Sequence, residues 1–414
     1  ILQKSGTGDF TFNVGNSTPY NLGELFVNEG QFSFASTVSG SSVTVNISTI
    51  VVDGGILALK QGTYLTSSQA EVEVKNGGIG IYDETSIDPA LLLNFSGTDP
   101  NNLARLIVEK SGANLVSNIV ISTGLIVQNE GALTLTGTSI VGSSGIFGKD
   151  GNGTMTIADT DDFNVGELRL LTGMMNINNS TITLNTASIT GGTLNVRNDS
   201  VFNATTTNIQ NAVLRGFGEI NGTVNANTNS VIQADGDVDN EIGTMTLGSI
   251  NFNTGSTLRI DVNSSEQSDL IDVVNNVQIG DGANLYVNVI GDESEYTDKK
   301  TYQIITAGNS LSILNPANIG IFNTELSNLR LISNLYRSGR SIFLSIYQAF
   351  SEYDLPGATK NQQAMLDVLN SIHANYETSM QDTLNKVDEA YLSGTAEFVS
   401  AMQDLSGMFY VNSF

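Results

Sequence analysis

The sequence predicts an all-β chain, a parallel β-solenoid of stacked coils, followed by C-terminal α-helical segments. Three observations predict this fold. Short alternations of apolar and polar residues run to about Tyr347, a recurring unit is repeated along them, and a helical period replaces the alternation from Ala349 onward. We therefore assign residues 1–347 to the solenoid and residues 348–414 to a helical linker.

Strand patterns occupy the first part of the chain. Residues 43–45, 72–74, 133–135 and 194–196 each place a polar residue between two apolar ones. Such alternation predicts half-buried strands, and the Gly, Asn and Asp residues that interrupt it predict tight turns. The chain holds 42 Gly and 46 Asn. Asn tolerates a left-handed backbone at corners, and its amide can pair with the amide of the next coil.

The recurring unit is an apolar residue, a few polar residues or Gly, and then two apolar residues flanking a third. It appears at residues 27–34, 52–59, 74–81, 127–135 and 189–196. Successive units lie about 20 to 25 residues apart, the length of one coil of a parallel solenoid. Residues 83–104 lengthen one interval and contain Pro89 and Pro100. We expect part of this span to project from the stack as a loop or short helix.

The C-terminal region follows a helical period instead. Its apolar residues recur at helical spacing, with Leu355-Pro356-Gly357 and Leu392-Ser393-Gly394 as interruptions. The apolar positions are Ala364, Met365, Val368, Leu369, Ile372, Val387, Ala390, Tyr391, Val399, Met402 and Leu405. We expect these faces to pack against the last coil or inside a pore, in preference to acting on membranes.

Composition excludes several kinds of function. The chain carries 42 acidic and 17 basic residues, a formal charge of −25, so we expect no nucleic-acid partner. It has no Cys, which excludes disulfides, thiolate zinc sites and cysteine nucleophiles, and which fits an exported protein. No stretch is long and apolar enough for a transmembrane helix. Ile1 opens directly into a strand pattern, so we expect a mature or trimmed piece of a longer protein.

Several stretches resemble the passenger region of bacterial autotransporters, the type V secreted proteins. Residues 2–12 and 23–30 are similar to the two halves of the passenger-associated repeat, and residues 213–224 and 242–247 to later coils. Residues 268–273, 282–287 and 302–307 are similar to the segment that promotes folding. Residues 361–362 and 402–410 resemble the junction where a helix leads into the translocator barrel. These stretches are spread over nearly the whole chain in the family's order.

The resemblance implies a right-handed parallel β-helix that is secreted through an outer-membrane barrel, its own or a separate one. It also implies that the coils in 213–347 promote folding. The residues that match there are Gly216, Gly218, Gly222, Gly243, Asp269, Asp272 and Gly282. Those that match the junction between linker and barrel are Leu405, Ser406, Gly407 and Tyr410.

The sequence departs from the family pattern at two places. Met408 stands where an acidic residue usually follows the junction glycine, and Asp235-Gly236-Asp237 replaces a Pro-Gly turn. The barrel itself is not part of this sequence, so residues 408–414 are either its first residues or a tail.

One acidic loop is a candidate calcium site. Asp235, Asp237, Asp239 and Glu241 alternate, and alternate carboxylates can converge on Ca²⁺. The EF-hand spacing is not met, and the alternative is a solvated acidic turn at a corner. Residues 159, 161 and 162, all Asp, form a second cluster. We expect no other cofactor.

The sequence predicts no enzyme. His373, the single histidine, lies in the helical region, and no Gly-x-Ser-x-Gly motif is present, so a serine protease is excluded. A polysaccharide lyase or hydrolase built on a β-helix needs acidic residues clustered with Lys or Arg, and no such cluster is evident in the sequence. This enzyme remains the least favoured alternative.

The predicted function is structural or adhesive, as a rod displayed at the bacterial cell surface and associated with the outer membrane. Expected partners are the translocator barrel, a receptor on a host or other cell, and other copies of the chain, end to end or side by side. Each coil buries its core only on a neighbour, so we expect folding to spread from the C-terminal coils. The alternative is a self-assembling extracellular filament subunit, because an open end of the stack can pair with another chain.

Overall fold

We analysed the chain in a computed structural model. It describes residues 1–15, 19–37, 43–60, 63–66, 71–82, 86–87, 90–97, 103–109, 112–160, 162–197, 199–235, 241–291, 293–296, 299–314, 322–326, 331–348, 360–374, 387, 390 and 397–402.

Almost every described element is a short strand. The strands of the first part of the chain are β1 (Leu2–Lys4), β2 (Asp9–Val14), β3 (Tyr20–Val27), β4 (Gln31–Ser36), β5 (Val43–Val52), β6 (Ile56–Lys60), β7 (Thr63–Thr66), β8 (Glu71–Val74), β9 (Gly78–Ile81), β10 (Ser86–Ile87), β11 (Leu92–Phe95) and β12 (Ala104–Val108). Those of the middle part are β13 (Ala113–Leu115), β14 (Asn118–Ile121), β15 (Gly124–Asn129), β16 (Leu133–Thr136), β17 (Ile140–Asp150), β18 (Thr154–Ala158), β19 (Phe163–Leu170), β20 (Met174–Asn178), β21 (Thr181–Ile189), β22 (Thr193–Val196) and β23 (Val201–Ile209).

The last part of the solenoid contributes thirteen more strands. They are β24 (Val213–Arg215), β25 (Glu219–Ala226), β26 (Val231–Gln233), β27 (Thr244–Phe252), β28 (Thr257–Asn263), β29 (Leu270–Val273), β30 (Asn276–Ile279), β31 (Asn284–Ile290), β32 (Lys300–Ala307), β33 (Ser310–Ile313), β34 (Asn323–Leu326), β35 (Leu331–Ser338) and β36 (Ser341–Gln348). A 3₁₀ turn spans Glu293–Tyr296, α1 spans Lys360–Ala374, and residues 397–402 are helical.

The strands stack in parallel, which confirms the predicted solenoid. Each strand pairs with one from the next turn, so residues in register form columns along the axis. One column takes an apolar residue from each of fourteen strands. It runs through Leu2, Leu25, Ile50, Val72, Leu93, Ile119, Ile140, Phe163, Ile182, Phe202, Ile220, Leu247, Val273 and Ala307. All but Leu2 are buried, so this column lies in the core.

The stack has a second sheet on another side. It is formed by ten strands, namely β13, β16, β18, β20, β22, β24, β26, β28, β31 and β34. Its inward residues, such as Met175, Leu194 and Leu214, join the same apolar core as those of the first sheet. Residues on the opposite side of each strand point outward, because side chains alternate along a strand.

Asparagine has the structural role that the sequence predicts. Asn side chains pair between successive turns, as in Asn46 to Asn21 at 3.0 Å and Asn251 to Asn225 at 2.8 Å. Of the six non-glycine residues described with positive φ, five are Asn or Asp. These residues adopt the left-handed backbone at low cost and therefore occupy the corners.

The span 83–104 is described only in part. Its strands β10 and β11 lie within the stack, where Ile87 pairs with Leu65, and Leu93 with Val72. Leu93 and Phe95 are buried in the core. Residues 83–85, 88–89 and 98–102, which include both prolines, lie outside the described residues, so the projection stays a prediction for them.

The C-terminal end of the stack is closed by an antiparallel hairpin. β35 and β36 pair with each other, and β36 also pairs antiparallel with β32 of the last turn, from Lys300 opposite Ile346. Ile342, Leu344 and Ile346 of β36 are buried. The hairpin thus covers an edge that would otherwise expose unpaired backbone groups.

Beyond the hairpin, the described part of 348–414 contains only two short helices. The described side chains of α1 do not all follow the predicted apolar face, and those of Leu369 and Ile372 lie outside the described part. Leu366 is 1% exposed, whereas Val368, which the helical period placed on the apolar face, is 44% exposed. Apolar residues occur on more than one side of α1, so the period alone does not select the face that packs. Val387, Phe398 and Met402 are buried as well.

Candidate functional site

An outer groove crosses the second sheet near its C-terminal end. Its floor is formed by β24, β26, β28, β31 and β34, and its volume is about 750 Å³. Its lining residues are Val213, Val231, Gln233, Thr257, Arg259, Asn284, Leu285, Tyr286 and Thr324. Most of them point outward because Leu214, Ile232 and Leu258, their neighbours along the strands, point into the core.

The groove side chains are aligned by the strand register. Gln233 pairs with Arg215 on one side and with Arg259 on the other, and Arg259 pairs with Tyr286. The guanidinium carbon of Arg259 lies 5.8 Å from the centroid of the Tyr286 ring. This distance is within the range of a cation–π contact. A cation, an amide and an aromatic ring therefore lie in one row along the axis.

The guanidinium group of Arg259 is not fully hydrogen-bonded among the described residues. Its Nε atom is buried and has no hydrogen-bond partner among the residues described. Among the described residues, Arg259 is also the one charged side chain in the lining of the groove. The residue is partly exposed, so its terminal nitrogens, which are donors only, are the groups that can reach an acceptor in the groove.

Three aspartates are buried in the coils that also form the groove. Asp235, Asp261 and Asp269 are at most 3% exposed. Asp269 accepts hydrogen bonds from the backbone N–H of Gly243 at 2.9 Å and of Asp261 at 2.8 Å. Burial raises the pKa of Asp269 to about 8; the two amides oppose this shift, and the charges of Asp261 and Asp235 add to it.

Only two of the four residues of the predicted calcium site, Asp235 and Glu241, lie in the described part of the chain. Asp237 and Asp239 lie outside the described residues, and Glu241 is exposed. Asp235 is buried and accepts a hydrogen bond from Gln233 at 3.2 Å, so it does not belong to a solvated turn. Within the described ranges, no three acidic or histidine side chains are arranged to hold a metal ion. Calcium binding stays a prediction.

The second acidic cluster is engaged at corners. Asp159 has positive φ and accepts a hydrogen bond from Asn179 at 2.8 Å. Asp162 accepts one from Ser139 at 2.5 Å. Asp161 lies outside the described part of the chain. The two visible members therefore link neighbouring turns.

The predicted folding-promoting glycines lie where backbones approach closely. A Cβ atom would lie 2.0 Å from the Val196 carbonyl oxygen at Gly216 and 1.8 Å from the Ala204 oxygen at Gly222, and both glycines have positive φ. At Gly218 it would lie 2.6 Å from the Arg197 oxygen.

The other two predicted glycines have different surroundings. At Gly243 a Cβ atom would lie 2.2 Å from the Phe217 ring. Gly282 has positive φ, with the Thr254 methyl at 3.1 Å from the Cβ position. Asp272, in β29, is half-buried and in register with Thr246 and Thr306.

The structure reveals a second copy of the Lys-x-Gly-x-Gly motif of residues 4–8, at residues 149–153. Lys149 occupies an apolar column between Val127 and Leu170, and its Nζ donates to the carbonyls of Asp150 at 2.9 Å and Gly151 at 2.6 Å. Burial lowers the pKa of Lys149 to about 8, although the carboxylates of Asp150 and Glu130 act to raise it.

In the first copy, the ammonium of Lys4 donates in the same way to the carbonyls of Gly6 and Glu29. The second Lys-x-Gly-x-Gly motif is present in the sequence and could have predicted the contacts of Lys149, but the sequence analysis did not use it.

The remaining predicted residues lie in the C-terminal region. Leu405, Ser406, Gly407 and Tyr410 fall outside the described residues, and His373 lies within α1. In the described part of the chain, no helix has the length and hydropathy needed to cross a membrane.

Comparison with known proteins adds no family. The chain matches no known protein-family model, and no curated protein matches its sequence.

Proposed function

We propose that the chain is a surface-exposed, structural and adhesive β-helical rod of a bacterial autotransporter, secreted through an outer-membrane barrel. The observation that carries the proposal is the parallel stack of the described strands, in which glycines of the passenger-like stretches lie at close contacts between coils. Gly216, Gly222 and Gly243 each take a position where a side chain would collide with the preceding coil. We take the coils to wind right-handed, as nearly all parallel crossovers do.

Folding from the C-terminal coils is part of this proposal. The hairpin β35–β36 closes that end, so the last turn has a paired edge before any earlier turn is added. Asp269 then links three segments, because its carboxylate binds the amides at the start of β27 and within β28. Each further turn gains a complete template from the turn already folded.

The proposed location predicts that the chain is accessible on intact cells. Antibody raised against the purified chain should label unbroken bacteria that produce the full gene product. Protease added outside should remove the label, while a cytoplasmic marker protein in the same cells stays intact. Label that appears only after the cells are lysed contradicts surface display.

A further inference from the structure

We propose that the outer groove binds a negatively charged oligosaccharide, with carboxylated or sulfated sugars lying along the stack axis. This inference rests on the proposed function insofar as an adhesive rod at the cell exterior meets such ligands. The groove itself is argued from its own residues.

Charge is the first argument. The chain has a net charge of −25, so most of its surface repels anions. The groove is an exception, since within the described part of the chain Arg259 is the charged residue of its lining and no carboxylate belongs to that lining. Arg259 is partly exposed, and no hydrogen bond occupies its terminal guanidinium nitrogens among the described residues. These nitrogens can donate to a carboxylate or sulfate oxygen, and hydrogen bonds between ionised partners are the strong ones.

The remaining lining suits sugar rings. The Tyr286 ring is half-exposed and offers a flat apolar face beside the Arg259 guanidinium. Thr257 and Thr324 contribute hydroxyl groups that can pair with sugar hydroxyls. Sites for small ligands typically combine apolar surface with a few such polar groups that fix orientation.

The dimensions favour an extended chain. The groove takes lining residues from five successive strands, β24 to β34. At about 4.8 Å between strands, the floor is roughly 19 Å long. An extended peptide of similar length would need a free strand edge to pair with. β26, β28 and β31 are each paired on both sides, so their backbone groups are already used. The side chains of the floor are what remain to make contacts.

The composition of the groove lining favours binding of a ligand over its hydrolysis. Hydrolysis of a glycosidic bond commonly requires two carboxyl groups flanking that bond. Among the described residues, the lining contains none. We therefore expect the groove to bind the oligosaccharide without hydrolysing it.

Titration calorimetry on the purified chain tests the proposal. The probes are a heparin hexasaccharide, an oligogalacturonate, neutral maltohexaose and a poly-glutamate peptide. We expect one or both acidic saccharides to bind, which identifies sulfate or carboxylate as the preferred group. The neutral sugar and the acidic peptide should not bind. Added salt should weaken the binding because it screens the charges.

Substitutions locate the binding. Arg259→Gln should weaken it about tenfold or more, the usual effect of losing a charged hydrogen bond. Tyr286→Leu should also weaken it, since the ring is lost. Arg105→Gln is the matched control: Arg105 is exposed on β12 of the first sheet, and the charge change is the same. This control should bind like the unmodified chain, and circular dichroism should show that all three variants are folded.

Three results overturn the proposal: equal binding of neutral and acidic saccharides, equal losses in Arg259→Gln and Arg105→Gln, or tight binding of poly-glutamate. Should Arg259→Gln misfold, the comparison of probes on the unmodified chain still decides. Binding by a chain that antibody never detects on intact cells would refute surface display alone. Surface display without binding would refute the groove alone.

Discussion

Asp269 shows how much a single residue can connect. Its carboxylate is buried, yet both oxygens accept backbone hydrogen bonds, one from Gly243 and one from Asp261. The two amides favour the ionised form, while burial and the nearby charges of Asp235 and Asp261 favour the protonated form. Burial has the larger effect, so the pKa of Asp269 is raised to about 8.

This raised pKa predicts how stability depends on pH. An unfolded aspartate ionises near pH 4, whereas folded Asp269 holds its proton to about pH 8. Between these values the folded state binds the extra proton, so the contribution of Asp269 to the free energy of unfolding falls as pH rises. The full effect is on the order of a few kcal/mol.

Denaturant unfolding from pH 4 to pH 8 measures this contribution as the difference between the unmodified chain and Asp269→Asn. The variant should lose that part of the slope. It should also be less stable at pH 5, by about 1–3 kcal/mol, since one amide loses its acceptor. Asp272→Asn, at a half-buried residue of β29, is the matched control and should keep the slope. Parallel curves for Asp269→Asn and the unmodified chain would contradict the assignment.

Lys149 is a single residue whose position in the core could not be predicted from the apolar period of the sequence. A lysine between Val127 and Leu170 in a core column contradicts the apolar period, which gives no reason for it. The reason lies at the end of the side chain, where the ammonium reaches carbonyl groups of the turn. The distance from an apolar stem to a polar turn is a property of the folded coil.

At the scale of the structural element, glycines determine how closely neighbouring coils can stack. Gly243 precedes β27, and its missing side chain leaves room for the ring of Phe217 from the preceding coil. The backbone N–H of the same residue donates to Asp269. The beginning of β27 is therefore held by packing on one side and by a hydrogen bond on the other.

Gly243→Asp should impair folding because the new side chain collides with Phe217 and brings a charge beside Asp269. Overpacking alone typically costs about 1–3 kcal/mol. Refolding yield and the unfolding midpoint of the purified chain measure the effect. Gly243→Ala introduces the Cβ atom without the charge and should fall between the two.

Gly23→Asp provides the matched control for this experiment. Gly23 lies in β3, and nothing approaches its Cβ position within 4 Å. The same substitution there should leave yield and midpoint nearly unchanged. A Gly243→Asp chain that refolds as well as Gly23→Asp would show that the coil near β27 does not govern folding.

The elements themselves were largely predictable. Alternation and turn residues specify strands locally, so the strands and their stacking follow from short stretches of sequence. In the span 83–104, the described residues Leu93 and Phe95 pack in the core, as their apolar alternation indicates. The solvated turn, which was the alternative to a calcium site, does not describe Asp235, because this residue is buried and accepts a hydrogen bond from Gln233.

The groove belongs to the scale of the whole molecule, and the sequence contains no motif for it. Arg215, Gln233, Arg259 and Tyr286 are adjacent in register but 18, 26 and 27 residues apart in the chain. Because coil length varies, no fixed spacing brings them together. Only the stacked structure shows that a cation, an amide and a ring form one row.

The stacking direction also decides how the molecule responds to tension. The backbone hydrogen bonds of the parallel ladders lie along the axis, so a force applied at the two ends separates the turns one at a time, the weakest first. The register steps in the main column range from 18 to 34 residues. Each opened turn then releases about 60 to 115 Å of chain.

Single-molecule stretching should therefore record a series of small, separate rupture events of unequal length. One large event for the whole stack would contradict this behaviour. A tether that lengthens in steps limits the load on its attachment points, because each step relaxes the force before the anchor fails.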